Sequence, residues 1–201
     1  MRSRPRKTGT KVKNGKVSRK NRTELSAHYS QTKQPHVVVD RQRPGEGFKH
    51  YLTISDVRRF IAILPDWNEL SVGLNAIVLA EREDCLGWCW NGMVAVCAWE
   101  RELTLDWDTT FVVEHATVLD RLGVRFEAIN DDSEGMWCHF DESSIKGFQL
   151  MHILLHELGH HHDRMTTKSQ QNIARGESYA EKYANDYADR IWDAYFKEFN
   201  W

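Results

Sequence analysis

Charge and apolar side chains are spread so unevenly along this chain that the sequence assigns the whole core to residues 44–201. Residues 1–43 hold 13 of the 27 Lys and Arg against only Glu24 and Asp40, a net +11. Residues 44–201 hold 14 basic against 27 acidic side chains, a net −13, which conceals the split behind an overall −2. The first segment is also nearly empty of apolar residues. It cannot bury enough surface to offset the entropy of ordering, so the expectation is a disordered basic arm. Such an arm can bind nucleic acid or an acidic partner through charge alone, or simply be solvated. No aromatic residue interrupts residues 1–28 to stack on bases.

The remainder is globular in composition, the chain as a whole being 41% apolar and 28% charged. No apolar run approaches the roughly 18 residues of a membrane span. The basic start lacks the apolar stretch of a secretory signal, so a cytoplasmic location is expected. Cys85, Cys89, Cys97 and Cys138 are too few and too irregular for a disulfide scaffold. Cys85-x3-Cys89 has no second pair to complete a zinc site, and these residues read as reduced thiols.

Patterning predicts a helix capped by Ser55 and ended by Pro65, then a strand within 73–81. Asn91-Gly92 is the strongest hairpin signal, joining strands at 85–90 and 93–99. A strand at 102–107, a helix carrying Phe111, His115, Leu119 and Leu122 up to Gly123, and a strand at 124–129 follow.

From Ser144 the periodicity is helical, with Phe148, Met151, Leu155 and Leu158 on one stripe. Beside it stand His152, His156 and His160 at intervals of four. Residues four apart lie one above the other on a helix, so His156 and His160 can face one ion. Glu157 lies roughly 100° round from His156, poorly placed as a ligand but within reach of a water beside the ion. His152 is two turns from His160, about 12 Å by helix rise, and reads as a buried or cleft-lining residue. His161 and His162 face elsewhere and read as exposed or rim residues.

After Arg175-Gly176 a final helix is expected from Glu177 to about Phe199. Glu177 and Glu181 stand one turn apart on it, and Ala180, Ala184 and Ala188 form a row that lets another helix approach closely. Either glutamate could thereby reach the ion as a third ligand, or both could be ordinary residues of a helix N-terminus.

His156-Glu157-Leu158-Gly159-His160 followed by Glu177-Ser178-Tyr179-Ala180-Glu181 resembles the gluzincins, zinc metallopeptidases with H-E-x-x-H on one helix and E-x-x-A/S-D/E on the next. The small size and Tyr183-Ala184 are similar to compact members such as the ImmA/IrrE-like peptidases, although Glu181 and Tyr183 stand where those have Asn and Phe. The resemblance covers residues 144–190. It implies an α+β, zincin-like fold: a twisted, mostly antiparallel sheet packed on helices. It implies one zinc per chain on His156, His160 and Glu177, with Glu181 orienting His156. Glu157 would be the general base in hydrolysis of a peptide or protein substrate. Extended substrates would add to an edge strand, supplied by 93–99 or 102–107. Tyr179, Tyr183, His161, His162 and His152 are candidates for cleft or oxyanion-binding groups. The alternatives are a nucleic-acid-associated or protein-interaction domain whose zinc is structural.

Overall fold

The computed structural model describes residues 12–13, 16–17, 29–82, 84–130, 135–167 and 175–200. Most of the basic arm, and with it most of the disorder expected of residues 1–43, lies outside the described residues, apart from the short backbone pairing of β1 (Val12–Lys13) with β2 (Lys16–Val17). The architecture is mixed α/β, with several sheets rather than one.

The main sheet has the order β3-β5-β7-β6: β3 (Val38–Arg41), β5 (Ala76–Ala80), β7 (Met93–Cys97) and β6 (Gly87–Trp90). A short pair, β4 (Phe48–Lys49) and β8 (Trp99–Glu100), stands apart. The hairpin forms where its turn chemistry puts it. Asn91 and Gly92 both have positive φ (45° and 75°), which matches the strand twist, and Trp90 pairs with Met93. Strands β5 and β7 are buried along their whole length and run parallel to each other, as β3 does to β5. This corrects the expected mostly antiparallel sheet: a continuous apolar run such as AIVLA has no solvent face and suits a doubly covered parallel strand.

One face of the sheet (Ile77, Leu79, Val94, Val96) joins the large helical core. The other (Ala76, Val78, Ala80, Met93, Ala95, Cys97) packs with Tyr29. The Tyr29 hydroxyl donates to Asp40 at 3.1 Å, and its carbonyl accepts from Asn75 Nδ2 at 3.0 Å. Residues 29–43 therefore belong to the folded body, and the boundary expected at 43/44 falls earlier. The polar composition of the segment concealed Tyr29 and the Val38–Val39 pair, which gain their burial only through long-range strand pairing.

A second sheet has the order β10-β11-β9: β10 (Arg125–Ala128), β11 (Gly135–His139) and β9 (Thr104–Asp108), all antiparallel. No element is expected at β11 from the sequence alone. Helix α1 (Ile54–Ile63) is capped by Thr53, not Ser55, through a capping box with Asp56. A single turn, α2 (Trp67–Leu70), follows it. Helix α3 (Thr109–Arg121) is capped by Asp108.

The central helical run begins at the Asp141 cap with α4 (Glu142–Phe148), passes through a π-helical segment (Gln149–Leu154) and continues as α5 (Leu155–Thr166). The last helix is α6 (Glu177–Phe199). Where α5 meets α6, a Cβ at Gly159 would stand 3.0 Å from Ala180 Cα and 3.1 Å from Tyr183 Cβ. Ala180, Ala184 and Ala188 are all buried, so the small-residue row allows the close approach anticipated for it. Among the described residues no helix is long and apolar enough to cross a membrane.

Candidate metal centre

The two helices bring His156, His160 and Glu177 together. His156 Nε2 lies 3.1 Å from Glu177 Oε2 and 3.1 Å from His160 Nε2, and His160 Nε2 lies 3.4 Å from Glu177 Oε2. Zinc bonded at about 2.0–2.1 Å to tetrahedral donors has donor–donor edges of about 3.3–3.4 Å. The triangle is thus close to one face of a zinc tetrahedron. Among the described residues the group comprises three donors, and it contains no cysteine. Three protein ligands are the number left by a site with an open fourth position.

Protonation chemistry makes the same point. His156 Nδ1 lies 3.2 Å from Glu181 Oε2, so Nδ1–H donates to that carboxylate. In the neutral ring this leaves a lone pair on Nε2, aimed at the Glu177 carboxylate and the second imidazole. Converging lone pairs and negative charge suit a cation. Glu181 thereby stands where it would orient His156 if that ring bound an ion. Burial opposes charge on His156, but the Glu181 bond and the charges of Glu157, Glu181 and Glu177 outweigh it, and the pKa is raised. At His160 burial prevails, with the His156 charge adding, and the pKa is lowered. Glu181 resists the effect of its own burial: the bond to His156 and the nearby His152 and His115 hold it well below the usual carboxylate range.

Glu157 is buried beside this group. Burial pushes its carboxyl up to about 7, with His156 opposing and Glu177 adding. A Cβ on Gly87, at the start of β6, would stand 2.9 Å from Glu157 Oε1. The glycine therefore lets the edge strand lie directly against the carboxylate. Cys89, two residues on, is pushed up to about 12 by burial, with the Glu157 charge adding, so it is an inert thiol. A cleft of ≈ 1060 Å³ opens over the group, lined by Gly87, His115, His152, His156, Glu157 and Glu181 among others.

Four of the suggested cleft residues lie elsewhere. His161 is buried, not on the rim, and its Nε2–H donates to the Val72 carbonyl at 2.9 Å. His162 Nδ1 meets the Tyr179 hydroxyl at 2.8 Å. Tyr183 stacks between His162 and Tyr187, with its Cβ packed where Gly159 makes room. None of the four lines the cleft, whereas His152 does. The edge strand also differs from either expected candidate. Strand β7 is interior, β9 belongs to the other sheet, and β6 is the edge that reaches the cleft.

Two participants escaped the sequence reading. His115 had been taken only as part of a helical stripe, yet its Nε2 faces Glu181 Oε2 at 3.9 Å. Asp163 is fully buried at the end of α5 and accepts from Arg175 Nε (2.6 Å), Thr167 Oγ1 (3.0 Å) and the Gly176 amide (3.3 Å). A charged residue with its own cap-like partners at a helix end was the available signal for it. Compared with known proteins, the chain matches no family model, no curated protein and no solved structure.

Proposed function

We propose that the protein is a zinc-dependent peptidase of the gluzincin type, with a zincin-like arrangement of helix and edge strand. The observation that carries this reading is the triangle of His156 Nε2, His160 Nε2 and Glu177 Oε2, with edges of 3.1–3.4 Å, beside the buried carboxylate of Glu157. Bound there, zinc supplies Lewis acidity that acidifies a water and polarises a scissile carbonyl. Glu157 accepts the proton of the attacking water and returns it to the leaving amine. Its apolar surroundings keep its proton affinity high enough for both transfers. Glu181 holds His156 in the tautomer that offers Nε2.

The outer edge of β6 has no strand partner among the described residues. Its first residue, Gly87, lines the cleft, and an extended peptide could pair along this edge, which favours a polypeptide substrate over a small molecule. His152 and His115 also line this cleft, beside His156. A closed structural zinc, the alternative, would need a fourth protein donor, and the group offers three among the described residues.

The test is to incubate zinc-loaded protein with unfolded polypeptides and detect new N-termini by mass spectrometry. Glu157→Gln retains the shape but cannot accept the proton, so cleavage should fall by at least about 100-fold at unchanged zinc content. Equal cleavage by wild type and Glu157→Gln would refute the assignment.

A further inference from the structure

Behind the zinc triangle lies a second set of converging donors, of which the hydrolytic reading uses only Glu181. His115 from α3, His152 from the π-helical segment and Glu181 from α6 each present one ligand atom, all within 4.8 Å of one another. Glu181 Oε2 lies 3.7 Å from His152 Nε2 and 3.9 Å from His115 Nε2. These separations are too long for hydrogen bonds and short enough to enclose an ion. The two rings meet at 87° with centroids 4.5 Å apart.

The tautomer of His115 is fixed by its surroundings. Its Nδ1 lies 2.7 Å from the Phe111 carbonyl, which can only accept, so Nδ1–H donates. In the neutral ring Nε2 then carries a lone pair, and that lone pair faces a carboxylate. A histidine held through Nδ1–H to a main-chain carbonyl, with Nε2 free, is the form that ligates metals. The rings are also held in place: His115 stacks on Phe111 and His152 on Phe148. Both imidazoles are buried, yet both line the same cleft as the zinc triangle, so an ion has a route in.

We infer that His115, His152 and Glu181 form a second, weaker site for a divalent transition-metal ion, separated from the first by the ring of His156. Two imidazoles and one carboxylate suit zinc, cobalt or iron(II) over calcium or magnesium. The site is weaker for two reasons. Its donors are spread over 3.7 Å and more, where those of the first site stand at 3.1–3.4 Å, so they must draw in on binding. Its carboxylate is also already engaged by His156 Nδ1–H and by Asn185 Nδ2. The inference shares Glu181 with the proposed peptidase site but does not depend on catalysis.

Titration of metal-free full-length protein with Co²⁺, read by visible absorption and calorimetry and repeated with Zn²⁺, decides it. Wild type should bind two equivalents, the second at least about tenfold more weakly. His115→Gln and His152→Gln should each abolish or weaken the second equivalent and leave the first. His160→Gln should do the reverse, which distinguishes failure of this site from failure of the first. The wild-type stoichiometry needs no variant to fold. Saturation at one equivalent, lost in His160→Gln and kept in His115→Gln, would overturn the second site while leaving the first; a proton shared between the imidazoles and Glu181 would give that result.

Discussion

The buried carboxylate of Asp163, at the end of α5, accepts the main-chain amide of Gly176 at 3.3 Å, one residue before Glu177. Its other oxygen holds Arg175 and Thr167. One side chain on the histidine helix thereby fixes where the carboxylate helix starts. Glu177 is 83% exposed, and this clamp joins the Gly159–Ala180 contact in bringing it beside two imidazoles. Asp163→Asn keeps the size but removes the charge and one acceptor. It should weaken zinc binding by about 10- to 100-fold, the usual range for groups that orient ligands. Competition against a chelator measures this, and unchanged affinity would show that α6 is held in another way.

The two glutamates of α6 should separate in the same assay. In the proposed site Glu177 would give an oxygen to the ion itself, so Glu177→Ala should lose most zinc and all activity. Glu181 acts through His156 Nδ1, so Glu181→Ala should be the milder variant, about 10- to 100-fold weaker with the metal retained at saturation. Glu181→Asp should recover part of the deficit. If Glu181→Ala strips the first equivalent and Glu177→Ala leaves it bound, the roles are exchanged.

Stability should carry a histidine signature unrelated to the metal. Burial, reinforced by the Arg41 charge and opposed by the Gln42 carbonyl, pushes His50 down from 6.5 to about 4. Between these values the unfolded chain binds more protons than the folded one, so stability falls as pH is lowered from 6.5 towards 4. Because His50 is only partly buried, solvent screening leaves an effect on the order of 1–2 kcal/mol. Urea midpoints across this range should show a slope that His50→Gln reduces. An identical slope in the variant would place the titration elsewhere.

What the sequence revealed was mostly local. The Asn91-Gly92 hairpin, the bounds of α6 and the helical course of residues 156–160 depend on neighbours within a few residues, and each lies where the pattern put it. The close packing at Gly159 was implicit in the alanine row of α6. What stayed hidden depends on distant partners. His115 reaches Glu181 across 66 positions, and nothing in the stripe of α3 distinguishes a core histidine from one facing a carboxylate. Strand β3 owes its place to parallel pairing with β5, with Val38 opposite Ala76. Strand β11, GMWCH, follows an acidic stretch and lacks alternation, and pairing on both sides defines it. The burial of His161, expected on the rim, depends on the Val72 loop, whose carbonyl accepts a hydrogen bond from its Nε2–H.

An open site of two imidazoles and one carboxylate can be probed by zinc K-edge absorption on protein loaded with one equivalent of zinc. Such a site gives about four nitrogen and oxygen neighbours at about 2.0–2.1 Å, with outer-shell scattering from two imidazole rings, the imidazole signal falling in both His156→Ala and His160→Ala. A sulfur neighbour at about 2.3 Å, or a spectrum unaltered in both variants, would contradict it.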